Sequence, residues 1–347
     1  KFSMLKPTQV SASAVVDGRD LAAGDFIVVT GQPALSVTQQ SGYGIASINK
    51  GDNLFQKASE HAGSGKNLLV LVDTSFSKNF PRLSFFKRQM METGTSTVFI
   101  LGQTRPSTYK IEATHTIEKS SLSNVVGVIP GKSRKNEYVI FSGHYDHLGI
   151  GKPLNGDSIY NGANDDAAGT TAVIMLARYF KQLSNNERTI IFAAFTAEES
   201  GGYGATYFSR QFDPAKVMAM FNIEMIGTES KWGTNSAYIT GYEKTNMGEI
   251  LAKNLQGSGF TFHPDPYPDQ QLFYRSDNAT LARLGVPAHT ISTSKMDSEK
   301  YYHTADDEFE TLDMENMTRI IRAIAISSKT IVAGLDTPTR VNTAELR

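Results

Sequence analysis

The chain has 347 residues, room for an α/β domain of ordinary size and a smaller companion, since domains usually run about 100–200 residues. Its 34 Lys and Arg stand against 35 Asp and Glu, a net charge of −1 that gives no pull toward a polyanion or an anionic membrane, so nucleic acid is not an expected partner. With no cysteine there are no disulfides, thiolate metal sites or cysteine nucleophiles, and any metal must be held by His and carboxylates.

No apolar run approaches the roughly 20 residues that span a bilayer, so no membrane span is expected, and residues 1–20 lack the layout of a signal peptide. The chain begins on Lys1 rather than Met, which predicts that it was cut from something longer. The absence of cysteine is compatible with export. An extracytoplasmic location, periplasmic or secreted, is the expectation, and nothing in the sequence speaks to oligomeric state.

In chain order, residues 26–29, 67–73 and 97–101 are short apolar runs bounded by Gly, Ser and Pro, and residues 57–63 have room for a short helix. They predict a small β-rich or α/β accessory domain. Pro106, Ser107 and Thr108 form a turn-prone link that leads through a polar stretch toward Asn124, and the domain boundary is placed at 115/116. From there strands alternate with helices. Residues 125–129, 138–142, 189–195 and 218–221 read as strands, and 167–183 as a helix with Val173, Leu176, Ala177, Phe180 and Leu183 at helical spacing. A closing amphipathic helix is expected from Met317 to Leu335. The alternation predicts an α/β domain, residues 116–347, whose sheet is covered on both faces.

Groups able to bind metal gather where these strands stop, which is where open α/β sheets bind ligands. The strand 138–142 runs into Gly143-His144-Tyr145-Asp146-His147, and Asn164-Asp165-Asp166-Ala167-Ala168-Gly169 opens the helix. Two further strands end in Glu198-Glu199 and Asn222-Ile223-Glu224, and a late loop holds Tyr301-Tyr302-His303-Thr304. A dinuclear zinc site needs about three protein ligands per metal, one of them shared. His144 and Glu224 would serve one ion and Glu199 and His303 the other, with Asp165 bridging. Asp146 could accept the second ring N–H of His144. Glu198 could move protons as general base and acid, and Tyr302 could either donate its hydroxyl to the oxyanion or simply pack. His61, His115, His147, His263 and His289 are read as structural histidines, with support of the ligands as the alternative for His147. Asp306-Asp307 is read as a solvated face or cap, and Asp165-Asp166 alone would suit a helix N-cap.

Taken together, these motifs resemble those of the M28 family of zinc peptidases, in the right order over residues 120–335. The resemblance implies a mixed, mostly parallel twisted sheet between helices, a zinc exopeptidase-like fold, with a peptide as substrate and two zinc ions per chain. It carries over His144, Asp165, Glu199, Glu224 and His303 as ligands, Glu198 as acid/base and a cis bond at Asp165–Asp166. Position 224 departs from the family pattern, being Glu where relatives most often have Asp. Phe273-Tyr274-Arg275-Ser276-Asp277 resembles the substrate-side loop, making Arg275 a substrate-binding candidate. Residues 1–115 resemble protease-associated domains. Aminopeptidase activity is the first expectation. A glutaminyl cyclase-like acyltransferase with one zinc, or a catalytically silent binding module on the same fold, are the alternatives.

Overall fold

The computed structural model describes residues 1–102 and 104–346. Two compact units emerge, Lys1–Leu122 and Ser123–Arg347. The expected boundary at 115/116 falls inside a strand, Tyr109–Leu122, because the polar stretch after Thr108 alternates buried Tyr109, Ile111, Ala113 and His115 with exposed residues. That period of two marks a half-buried strand rather than a linker.

The N-terminal unit holds β1 (Phe2–Val16), β2 (Arg19–Asp20), β3 (Phe26–Val29), β4 (Ala34–Thr38), β5 (Gly44–Ile48), α1 (Leu54–Ala62), β6 (Leu68–Val72), β7 (Met90–Met91), β8 (Thr97–Leu101) and β9 (Tyr109–Leu122). One sheet has the order β2-β1-β9-β4 with β7 against β1, the other β3-β8-β6-β5. β6 is buried on both faces. Leu69 and Leu71 pack with Val37 and Ile111 of the first sheet, and Val70 and Val72 with Ala58, Leu83 and Phe99.

The C-terminal unit contains β10 (Val125–Ile129), β11 (Arg134–His144), the hairpin β12 (Gly149–Leu154) and β13 (Asp157–Tyr160), α2 (Ala168–Leu183), β14 (Arg188–Phe195), α3 (Tyr203–Ser209), β15 (Val217–Ile223), β16 (Ser236–Ile239), α4 (Met247–Asn254), β17 (Thr261–Pro264), α5 (Asn278–Ala282), β18 (Ala288–Ser292), α6 (Met314–Ser327) and α7 (Lys329–Val332). Its sheet runs β10-β14-β11-β15-β18-β16-β17. β14, β11, β15 and β18 are mutually parallel, as are β16 and β17, while β10 and β16 meet β14 and β18 antiparallel. This is the expected mixed, mostly parallel sheet. α2, α4 and α6 cover one face, α3 and α5 the other.

Register aligns the strands so that their ends form one edge. Phe141 of β11 stands opposite Phe192 of β14 and Phe221 of β15, its ring centroid 5.7 and 4.9 Å from theirs, and Phe180 of α2 stacks on it at 5.5 Å. Each buried ring contributes roughly 1.5–3 kcal/mol. One residue along, a polar line crosses β11, β15 and β18. The Ser142 hydroxyl donates to Asn222 Oδ1 at 2.8 Å, Asn222 Nδ2 to Thr290 Oγ1 at 3.1 Å, and Thr290 Oγ1 to Asn278 Oδ1 at 2.9 Å. The closing helix is shorter than its periodicity predicts. It breaks at buried Ser327 and Ser328, whose hydroxyls donate back to Ile324 and Ala325 carbonyls, while Asn254 Nδ2 takes the Ser327 carbonyl at 2.7 Å.

Candidate metal centre

Beyond the aromatic and polar rows, β11 ends on His144 and β15 leads into Glu224, while the turn after β14 brings in Glu198 and Glu199. Asp165 sits in the turn Ala163–Ala167 that precedes α2, and its bond to Asp166 is cis. Asp166 ties these elements together. Its Oδ2 accepts the His144 N–H at 3.1 Å, and its Oδ1 accepts those of Gly169 and Met225 at 3.0 and 3.1 Å. The start of α2 therefore presses against the strand ends, and a Cβ on Gly169 would lie 2.1 Å from the Ile223 carbonyl oxygen. Asp166 thus spends its carboxylate on backbone N–H groups of three segments, while Asp165 faces elsewhere.

Asp165 divides its two oxygens. Oδ1 is 3.1 Å from His144 Nε2, and Oδ2 is 3.3 Å from His303 Nε2 and 3.8 Å from His147 Nδ1. Glu199 stands on the second side, Oε2 at 3.1 Å from His303 Nε2 and Oε1 at 2.9 Å from His147 Nδ1. His144, Asp165 and Glu224 form one group of converging donor atoms, and His147, Asp165 and Glu199 a second. Four of the five residues named from the sequence as ligands fall in these groups, and His303 lies outside both but beside Asp165 and Glu199. His147, read as structural, joins them, and a lone His three positions past His144 gave no distinguishing signal.

The supporting residues differ from the sequence reading in three places. Asp146 does not hold the His144 ring through its carboxylate, whose Oδ1 is 3.8 Å away; the ring Nδ1–H donates instead to the Asp146 backbone carbonyl at 2.9 Å. The carboxylate accepts the Glu198 N–H at 3.1 Å, because the extended chain past His144 turns the Asp146 side chain toward the end of β14. Asp307 is buried rather than solvated, and its two oxygens accept the N–H groups of Asn164 and Asp165 at 2.8 and 3.0 Å, fixing the turn that presents Asp165. Third, Ser276, which carried no assignment, donates a hydrogen bond to Glu224 Oε2.

Tyr302 stacks on the His303 ring, centroids 3.8 Å apart, and walls a pocket beside Glu224 together with Met225, Tyr238, Leu272 and Ser292. Arg275 lies exposed on that pocket's rim and donates to Gln270 Oε1 at 3.3 Å. His289 is buried with both ring nitrogens satisfied, by the Thr240 carbonyl and the Thr245 hydroxyl, each at 2.8 Å.

The electrostatics are those of crowded acids. Burial, then the charges of Glu224 and Asp277, pushes Glu198 up to about 10. Burial raises Glu224 as well, and raises Asp277, whose two carboxyl oxygens lack partners, to about 7. Burial acts on Asp165 in the same sense, but the imidazoles of His144 and His303 outweigh it and hold that carboxyl below its ordinary range. His144 Nε2, both ring nitrogens of His147 and Glu199 Oε1 are buried without any hydrogen-bond partner. Buried polar atoms are rarely left so, and a set of N and O donors aimed at common points with excess negative charge fits divalent cations.

Comparison with known proteins follows the same line. The sequence profile of Peptidase family M28 matches residues 124–327. A probable leucine aminopeptidase of Trichophyton verrucosum is 28% identical over 203 residues, 56% of this chain and 53% of that protein. Aminopeptidase YwaD of Bacillus subtilis is 23% identical over 297 residues, 79% of this chain and 59% of that protein. The chain spans about half the length of the curated relatives it matches. Among solved structures, an aminopeptidase from Aneurinibacillus sp. strain AM-1 superposes with a TM-score of 0.51 at 16% identity, covering 99% of this chain and 86% of that one. BSAP, a zinc aminopeptidase from Bacillus subtilis, does so with a TM-score of 0.51 at 16% identity, covering 96% and 86%. Both share the fold.

Proposed function

The chain belongs to peptidase family M28, and on that premise we propose that it is a zinc aminopeptidase that releases N-terminal residues from peptides at a dinuclear site. The observation that carries this reading is the division of the Asp165 carboxylate, one oxygen toward His144 and the other toward His303. His144 and Glu224 would hold one ion, Glu199 and His303 the other, and Asp165 both. Zinc, when bound, supplies Lewis-acid polarisation of the scissile carbonyl and makes water more acidic.

The chain's own residues do the rest. Glu198, beside the ligands but assigned to neither ion, takes the proton of the attacking water and passes it to the leaving amine, a role it can fill once bound cations offset the neighbouring carboxylate charges that raise its pKa. Asp146 steadies Glu198 through its backbone N–H. The Tyr302 hydroxyl donates to the developing oxyanion. The surplus of carboxylates receives the cationic α-amine of the substrate, the pocket beside Glu224 takes its first side chain, and Arg275 on the rim steers the peptide. Donors on both sides of Asp165 favour this reading over a one-zinc cyclase, and the presence of Glu198 with a full ligand set favours it over a silent binding module.

The test is a panel of aminoacyl and peptidyl reporters offered to the purified protein, as isolated, after chelation and after readdition of zinc. Release of N-terminal residues that stops with chelator and returns with zinc, at two ions per chain, is the expected outcome. A zinc-loaded protein that leaves every reporter intact would overturn it.

A further inference from the structure

His147 has no task in the five-ligand arrangement, yet it stands where a donor would. Its Nδ1 lies 2.9 Å from Glu199 Oε1, and both atoms are buried without a hydrogen-bond partner despite that approach. Close approach without hydrogen-bond geometry is what two ligands of one cation show, since bonds of about 2.0–2.2 Å set neighbouring donors at a tetrahedral centre about 3.3–3.6 Å apart, within the spread of separations around this ring. The ring closes a circuit. From Nδ1 the circuit passes to Glu199, from Glu199 Oε2 to His303 Nε2 at 3.1 Å, from there to Asp165 Oδ2 at 3.3 Å, and back to Nδ1 at 3.8 Å. The two imidazoles meet edge to face, centroids 5.7 Å apart.

The backbone is shaped around this ring. Gly162, at φ +62°, lies so close that a Cβ would be 2.5 Å from His147 Cγ and 2.3 Å from the Asp165 carbonyl oxygen. Only a glycine leaves space for the imidazole against the turn that carries Asp165. On the other side of Asp165, the converging donors among the described residues are His144, Asp165 and Glu224.

We propose that His147 is a fourth protein ligand to the ion on the Glu199 side, which makes the two metal positions unequal. His147 converges with Asp165 and Glu199, and His303 approaches the same two carboxylates, so these four would hold one cation, while His144, Glu224 and Asp165 would leave the other with an open position. The inference rests on the dinuclear reading above. It assigns retention to the Glu199-side ion and exchange to the His144-side ion.

Zinc alone, titrated into the chelated full chain, should bind in two steps, the first much tighter, and cobalt(II) in its place should give the intense absorption of a four-coordinate centre at the first step. His147→Ala should weaken that first step by more than the ~10–100-fold typical of losing an outer hydrogen-bond partner, and should dim the cobalt spectrum as water replaces the imidazole. His147→Asn, with an oxygen near the position of Nδ1, should restore part of both and guards against a folding defect. Glu224→Ala should weaken only the second step. If the wild-type chain fails to take up two ions, the dinuclear reading falls and this inference with it. If it binds two and His147→Ala leaves affinity and spectrum unchanged, the inference alone falls. A loss of affinity with an unchanged cobalt spectrum also overturns it, by making His147 a support of the Glu199 carboxylate rather than a ligand.

Discussion

The two units carry parallel strands of the same character, and only one of them ends in chemistry. β6 of the N-terminal unit is apolar and fully buried, as are residues 139–141 of β11, 190–193 of β14 and 219–221 of β15. Around β6 the polar groups are matched: the Thr30 and Ser96 hydroxyls bond at 2.7 Å, Asn67 Oδ1 accepts the Ser96 N–H at 2.8 Å, and Asp73 Oδ1 accepts that of Ser75 at 2.7 Å. His61 Nε2 and His115 Nδ1 of this unit lack partners, but among the described residues neither joins a group of donors. At the ends of β11, β14 and β15 the unpartnered atoms converge. Buried strands make a scaffold; unmatched polar atoms collected at one edge make a site.

The contrast is tested most severely at Glu198. Glu198→Gln should keep two zinc ions and lose about 10²–10⁴-fold in kcat, read by turnover beside metal analysis; retained turnover would remove the acid/base role and leave the convergence without a reaction. Core truncations come next. Phe141→Ala should cost ~3–5 kcal/mol and Leu69→Ala ~2–5 kcal/mol in denaturant unfolding, yet only the first should disturb zinc binding, because Phe141 lies beneath the edge that carries the ligands. Equal loss of zinc in both variants would erase the distinction between the units.

His289 gives the smallest expected effect and shows what a matched imidazole does. Burial holds it neutral and lowers its pKa to about 4, so between pH 6.5 and 4 the unfolded chain binds a proton that the folded chain refuses. Its contribution is present above pH 6.5 and is lost as pH falls, by up to about 3 kcal/mol near pH 4. His289→Gln, compared with wild type in chelator, should flatten that part of the stability profile; parallel curves would mean that the ring is not held neutral.

Much of this was legible in the sequence because a strand end is a local event. An apolar run that stops at His144, Glu199 or Glu224 announces both the strand and the group it presents. Features set by loops and by side-chain direction were hidden. Asp307 reads like any exposed acid until its loop folds over the turn at Asn164. Whether Asp146 holds His144 by its carboxylate or its carbonyl depends on a single rotation of the chain, invisible in residue spacing. The alternation of β9 was written in Tyr109, Ile111 and Ala113 but diluted by Lys, Glu and Thr between them, and the helix stop at Ser328 is made by Asn254, far away in sequence.

The line of Ser142, Asn222 and Thr290 serves as a check on alignment. Each residue meets its partner only because β11, β15 and β18 are paired in one register. A slip by a single residue would turn these hydroxyl and amide groups to the opposite face and leave them unanswered among aliphatic side chains, at roughly 1–3 kcal/mol apiece. Misthreaded sheets are therefore disfavoured before the adjoining edge can gather its imidazoles and acids, and the same polar line that aligns the strands reaches, at Thr290, the wall of the pocket beside Glu224.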